Sequence, residues 1–345
     1  MSFWKNLKKP IIGLAPMDGI TDEPMRFIQA KYGQPAVIFT EFVNVEHVFH
    51  KPEKLMERFI YSEIERPVVA QLSGHTPDFF YQFALVSCYL GFDGIDINMG
   101  CPVKSVVFGG GGAALIKNHS LAREIISAVK KALDDWRGGI NPKEVIKNEE
   151  LMQVIIKMKK IDPNPREGRI GRMVGLSVKT RLGKDSQETK TWISFLSHLP
   201  IEAITLHGRL IGQEQNGKVK WEEISKGAKI AKRCGKIFLG NGGIKSIKEA
   251  KIFCRRFGTD GVLIGRAALG NPWIFSSRNS SREEKLTVML EHANYFEQTF
   301  GEKAFVAMRK HFGWYAQGFK EAKRMKQILQ RAKTLNQVKA IVRNG

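Results

Sequence analysis

Apolar residues over roughly the first 270 positions gather in short runs, each closed by glycine, proline or a polar turn. Runs of this length, rich in valine and isoleucine, predict buried strands. They span 11–17, 37–43, 67–74 and the stretch from Phe92, then 176–183, 203–209, 237–244 and 260–269. Between them lie helical stretches: a start capped by Thr21 or Asp22 ahead of Pro24, then 46–59, an opening at Thr76-Pro77-Asp78, 120–133, 189–199, 221–233 and 247–257. Eight strands alternating with helices predict an α/β fold, a (β/α)8 TIM barrel rather than a doubly wound sheet.

One interval breaks the rhythm. About forty residues, 134–172, stand where a short helix-to-strand loop suffices. A helical piece at 149–160 is followed by Pro163, Pro165, Gly168 and Gly171. Because the interval leads into a strand, it is expected at the amino-terminal face of the barrel, as a surface elaboration away from chemistry. Past Phe275 the apolar spacing turns helical throughout, as in Leu286, Met289, Leu290, Ala293 and Phe296. The expected organisation is a barrel domain over 1–275, carrying the insertion, and a small all-helical domain over 282–345.

Composition sharpens this. The 345 residues include 55 Lys and Arg against 34 Asp and Glu, a formal charge of +21. Such a surplus points to an anionic partner, nucleic acid or a membrane surface. From Ser276 onward 14 basic residues face 6 acidic ones, so charge density roughly doubles in the tail. No apolar run approaches the roughly 18 residues that span a bilayer, and the basic start lacks a signal-peptide core. Four single cysteines, without a CxxC pair or a His cluster, argue against a disulfide framework and a structural zinc site. No metal is expected, and reduced thiols fit a cytoplasmic location.

Candidate chemistry collects at the carboxyl ends of the strands, where such barrels bind ligands. The fourth strand runs into Gly100-Cys101-Pro102, which presents a thiol beside the amide of Asn98; the bland alternative is a buried structural cysteine. The same rim receives Pro16, Met17 and Asp18 after strand 1 and Gln71 after strand 3. Lys179 and Arg181 lie on strand 5, and His207 and Arg209 end strand 6. Asn241, Gly242 and Gly243 follow strand 7, and Gly265 with Arg266 ends strand 8. Glycines after strands 7 and 8 free backbone N–H groups to cradle a phosphate, and an adjacent arginine completes the clamp. An inward lysine and glutamine would then hydrogen-bond a ring over the barrel axis and stabilise negative charge on it, as a reduced flavin requires. The run Gly109–Gly112 matches a dinucleotide fingerprint only formally: it follows a loop, and no acidic residue stands about 20 positions on. It reads as a mobile loop beside Cys101.

Several ordered motifs now resemble one family. Ala15-Pro16-Met17-Asp18-Gly19-Ile20-Thr21-Asp22, Asn98-Met99-Gly100-Cys101-Pro102, Val178-Lys179-Thr180-Arg181, Leu206-His207-Gly208-Arg209, Gly240-Asn241-Gly242-Gly243, Ile264-Gly265-Arg266-Ala267 and Arg309-Lys310-His311 are similar to those of the tRNA-dihydrouridine synthases. The resemblance implies an FMN-bearing barrel, a helical tRNA-binding tail and reduction of tRNA uridine to 5,6-dihydrouridine with NAD(P)H. It implies Cys101 as proton donor to uracil C5, and Asn98 on the uracil edge. Lys179 and His207 would hold flavin polar atoms or the developing charge, and Gln71 the flavin edge. Arg209 would serve substrate or cofactor phosphate, while Arg309, Lys310 and His311 would grip RNA backbone. Two departures stand out: Phe108 occupies a position that is commonly basic or small and polar, and Gly243 stands where relatives often carry Asp. Two rivals stay open, a flavin barrel acting on a free small molecule and a tRNA-binding relative without catalysis.

Overall fold

In the computed structural model, which describes residues 2–161, 171–213, 217–276 and 278–343, the apolar runs are the eight strands of a closed parallel barrel. They are β1 (Ile11–Leu14), β2 (Ile38–Asn44), β3 (Val68–Ser73), β4 (Gly94–Met99), β5 (Gly175–Leu182), β6 (Ala203–Leu210), β7 (Ile237–Asn241) and β8 (Gly261–Ile264), each paired with the next and β8 with β1. A parallel strand is covered on both faces, which is why β1, β3 and β8 are buried along their whole length. The last strand is shorter than predicted. A 3-10 turn at Arg266–Ala268 takes over after Gly265, because the chain must leave the barrel there to reach the tail.

The helices are α1 (Glu23–Gly33), α2 (Val45–His50), α3 (Glu53–Arg58), α4 (Pro77–Tyr89), α5 (Lys104–Phe108), α6 (His119–Arg137), α7 (Pro142–Val145), α8 (Glu149–Ile161), α9 (Ser186–Ser197), α10 (Trp221–Arg233) and α11 (Ile247–Phe257). Their starts follow local chemistry. Asp22 caps α1 by accepting from Met25 N at 3.0 Å, and Asn118, Asp185 and Ser246 do the same for α6, α9 and α11. In the tail come α12 (Arg282–Phe300), α13 (Arg309–Tyr315), α14 (Ala322–Leu329) and α15 (Leu335–Arg343). Ser281 and Glu284 close a reciprocal capping box at the start of α12.

Two features were not foreseen. Trp4, 1% exposed, enters the amino-terminal end of the barrel from a short 3-10 turn and packs against Phe39 with Val69, Ala203, Leu239 and Leu263. Gly175 leaves room for it, since a Cβ there would come within 2.6 Å of the indole. The second is the insertion. Trp136 is buried because α6 continues to Arg137, and Ile146, Leu151 and Ile155 join the main core. The interval is thus partly core rather than a loose surface elaboration.

The tail lies against α1 and the turn after β8. Phe27 stacks on Tyr295 at 4.2 Å, Lys31 pairs with Glu291 at 2.6 Å, and Gly270 lies so near the tail that a Cβ would come 2.4 Å from Trp314 O; Gln29 Nε2 ties α1 to the same turn by donating to Ala268 O at 2.9 Å. Beneath this contact, Arg26 and Glu65 form a fully buried ion pair at 2.6 Å, and the guanidinium also donates to Thr21 O and Ile60 O. Removing one partner of such a pair strands a buried charge. Arg26→Ala is therefore expected to lose roughly 3–5 kcal/mol of stability, read as a lower urea midpoint at unchanged slope.

Candidate active site

The strand register brings the polar residues of the middle strands to one height. Gln71 aligns with Asp96 and Asp96 with Ser177; one step nearer the carboxyl ends, Asn98 aligns with Lys179. Higher still, Arg181 aligns with His207 and His207 with Asn241.

Asn98 organises the thiol. Its amide oxygen accepts from Gly100 N at 3.1 Å and Cys101 N at 2.9 Å, which folds the loop after β4 back over the strand end. Its Nδ2 donates to Gln71 Oε1 at 3.1 Å, and Gln71 Nε2 donates to Asp96 Oδ2 at 2.7 Å. Both lone pairs of the Asn98 oxygen and one amide N–H are thus engaged, leaving one N–H for a ligand. From the other side, Arg181 Nε donates to Gly100 O at 2.9 Å. The second half of the glycine run, Gly111 and Gly112, is packed, while Gly109 is exposed. Gly112, at φ +56°, lies so near Cys101 that a Cβ would sit 2.7 Å from its carbonyl oxygen.

Electrostatics sets the protonation states. Burial pushes the Cys101 thiol up from its ordinary value and the Asp18 carboxylate adds to this, against a backbone hydrogen bond at Val103 and the charges of Arg181 and Lys179. Burial raises the Asp96 carboxyl to about 6, opposed by hydrogen bonds from Ser177 and Gln71. Lys179 is drawn down to about 8 by burial and by Arg181, with Asp96 pulling the other way. His207 is held far below its usual range, first by burial and then by Lys179, Arg181, Arg209 and Arg266, so it is neutral. Arg209 donates toward its Nε2 at 3.1 Å. None of those four cations forms an ion pair with an acid among the described residues.

The remaining predicted groups divide. Gly242 and Gly243 adopt φ +116° and +76°, the left-handed conformations that turn successive N–H groups outward after β7. Gly265 packs beside Met17, and a Cβ there would meet its sulfur at 3.3 Å; Pro16 is half-buried next to it in sequence. Arg266 is exposed. Asn241 Nδ2 donates to Leu263 O at 2.8 Å, a bond that ties β7 to β8. Asp18 is paired with Arg58, which also approaches Glu41.

The Arg309-Lys310-His311 motif is not an open RNA grip. Arg309 donates to Ala332 O and Arg331 O, and Lys310 donates to Gly19 O at 2.5 Å and lies 3.2 Å from Asp22 Oδ2. His311 is buried 3.5 Å from the same carboxylate, with no face open to a polyanion. The expectation that His311 grips RNA is corrected: with Lys310 it joins tail to barrel, whereas both Arg309 bonds stay within the tail. Asp22, His292 and His311 bring donor atoms within 4.8 Å of one another, but the Lys310 ammonium already lies at that carboxylate. Lys323, Arg324, Lys326, Arg331 and Lys333, on and just after α14, form an exposed basic stretch of the tail. Sequence reasoning passed over these, although they follow the apolar stripe of Met325 and Leu329 at helical spacing.

Against models of known families, residues 13–142 and 170–344 match that of the dihydrouridine synthases (Dus). The chain belongs to the dihydrouridine synthase family. It is similar, at 28% identity over 350 residues covering 99% of this chain and 95% of the other, to the probable tRNA-dihydrouridine synthase 2 of Bacillus subtilis (strain 168). A probable tRNA-dihydrouridine synthase of Staphylococcus aureus (strain COL) is likewise 28% identical over 351 residues, covering 99% and 94%. Among solved structures, that of DHODH from Eimeria tenella in complex with ferulenol shares the fold, with a TM-score of 0.50 at 13% identity over 81% of this chain and 82% of that one.

Membership makes the chain a flavin-dependent oxidoreductase. The match to this dihydrouridine synthase model omits residues 143–169, within the interval that broke the strand rhythm. Among the described residues no helix is long and apolar enough to cross a membrane. Asp96 went unnamed as a site residue because, in a strand of alternating apolar and polar positions, it looks like a solvent-facing group. Thiol reactivity tests the electrostatic account. Alkylation of Cys101 by iodoacetamide, followed by peptide mass spectrometry, should reach half its maximal rate above the ordinary thiol value of about 8.5. Thiolate forms only as pH rises through the raised pKa, so a midpoint below about 7 would mark an activated nucleophile instead.

Proposed function

We propose that the protein reduces the C5=C6 bond of a uridine in tRNA to 5,6-dihydrouridine, with FMN as the flavin, NAD(P)H as reductant and Cys101 as the proton donor to C5. One observation carries this reading: a thiol whose pKa burial raises lies near Lys179 and Arg181, cations that form no ion pair with an acid among the described residues, in the barrel of a dihydrouridine synthase. A free small molecule would not call for a charge of +21 or the exposed basic stretch of the tail.

The residues fit the cofactor. The left-handed turn at Gly242 and Gly243, with Gly265 and Arg266 beside it, suits a phosphate held by backbone N–H groups and one guanidinium. Gln71 and Lys179 are the groups for the ring edge, and Pro16 and Met17 border the same side. Asp18, engaged by Arg58, would act through the loop rather than by direct contact. When bound, reduced FMN supplies the hydride that adds at uracil C6.

The chain's own residues do the rest. A uridine inside folded tRNA must be turned out of its stack to enter the mouth. Asn98 offers its last N–H to the uracil edge while holding the Cys101 loop. As negative charge grows across C5, C4 and O4, Lys179 and neutral His207 stabilise it, one as a cation and one as a hydrogen-bond partner. The Sγ–H bond of Cys101 breaks, the proton bonds to C5, and the thiolate recovers a proton from solvent. A thiol that stays protonated at neutral pH is suited to this, whereas a thiolate is not. Arg209 serves the substrate side of the cation cluster. The helices over 282–345 act as the tRNA-binding unit through Lys323, Arg324, Lys326, Arg331 and Lys333.

Cys101→Ala is expected to retain flavin while dihydrouridine formation on tRNA falls about 100- to 10,000-fold. Flavin absorbance together with mass spectrometry of digested tRNA measures both, and wild-type turnover by the variant would remove the acid role. In parallel, the Kd for tRNA should rise steeply with salt; a salt-independent Kd would sink the proposed basic interface.

A further inference from the structure

The side chain of Phe108 is 96% exposed, far beyond any other large apolar side chain among the described residues. It ends α5, a helix without a single buried residue, seven positions after the thiol. A helix on a protein surface ordinarily keeps one apolar face on the core, and a phenyl ring left in water forfeits a large apolar area. The ring is not there through slackness. Gly110 N and Gly111 N close the helix onto Val107 O and Val106 O at 3.0 and 3.1 Å, and Ala113 N returns to Cys101 O at 3.0 Å. The segment is anchored to the catalytic loop at both ends.

Beside the ring, a groove of about 540 Å³ runs from α5 to the turn after β6, lined by Pro102, Lys104, Ser105, Val107, Phe108 and Ile211. No acid lines it, and its one charge is the exposed Lys104. It adjoins the mouth through which the substrate must pass.

We propose that Phe108 and this groove form a stacking shelf for a nucleobase of the RNA next to the uridine that enters the barrel. The inference rests on the function argued above and goes beyond it by naming where a second base sits. Turning a uridine out of its stack leaves a neighbour with one bare face. An aromatic ring fixed at the mouth covers such a face, and every base has one, so the contact adds affinity without reading sequence. Lys104 at the groove edge is placed for the accompanying phosphate. The shelf combines apolar walls, a flat ring and positive charge, which matches RNA rather than an acidic or purely apolar partner.

The test uses full-length, flavin-loaded protein and an unmodified tRNA transcript that the wild type converts. Phe108→Ala should raise KM for the transcript roughly 5- to 100-fold with kcat changed less than about threefold. Phe108→Trp should stay near wild type, and reduction of the flavin by NADPH should be unaffected in both. On transcripts with a single abasic site on either side of the target, the alanine penalty should vanish for the one that lacks the stacked base. A KM unchanged by Phe108→Ala, or an equal penalty on both abasic transcripts, would overturn the shelf while leaving the function intact. A wild type that converts no tRNA at all would overturn both.

Discussion

Positive charge crowded at the mouth of the barrel, with no ion pair to an acid among the described residues, is the constraint that shapes the site. Burial first, and then Lys179, Arg181, Arg209 and Arg266, hold His207 neutral, while burial and Arg181 lower Lys179 to about 8. Like charges this close repel unless something fixes them. Backbone carbonyls do so here: Arg181 is held by Gly100 O and Gln213 O, and Arg209 by Gly217 O. A carbonyl satisfies a guanidinium N–H without cancelling its charge, so these two groups are held in place while the site stays electropositive. An anion entering the mouth meets donors that are already oriented, which is the arrangement that strengthens most as charge develops on a substrate.

That arrangement is unfavourable on its own, and stability must come from elsewhere. Closure of the sheet removes every edge, and the inner face is filled by Trp4 and the apolar residues around it at the end opposite the chemistry. The outer face is covered by helices whose caps are local and independent of the site. The destabilising groups thus sit at one end of a scaffold that does not need them. This division is the reason a cationic rim and a protonated thiol persist side by side.

Strand number, barrel closure and the grouping of Gln71, Asn98, Cys101, Lys179 and His207 at one end were legible in the sequence. Each depends only on apolar runs, on the turns that end them and on the polarity of a parallel barrel. What escaped depends on partners distant in the chain. Trp4 went unremarked within the basic start because its companions, Phe39, Val69 and Leu239, lie on three different strands. Asp96 is meaningful only beside Gln71 and Ser177, and Asn241 only beside Leu263. The glycine run was read as mobile because composition shows freedom, not the neighbours that use it up. Basic residues misled for a related reason: Lys310 and His311 are engaged by the carboxylate of Asp22, a partner distant in the chain.

The use of Lys310 and His311 inside the molecule bears on how RNA binding and chemistry are joined. The loop from Pro16 to Asp22 leaves β1 at the mouth, and its far end, Asp22, is the cap of α1. The tail reaches that loop at two points, Lys310 on Gly19 O and on Asp22, with His311 behind. The carboxyl of Asp22 is held well below its usual range by His311 and Lys310 despite burial, so it stays ionised across neutral pH. A tail merely tethered to the barrel would hold RNA at a variable angle to Cys101. One clamped to the loop that borders the flavin side fixes that angle, and an error of about 1 Å at a reacting centre is enough to cost a large factor in rate. Lys310 and His311 are thus the part of the motif that sets the tail's direction relative to the barrel.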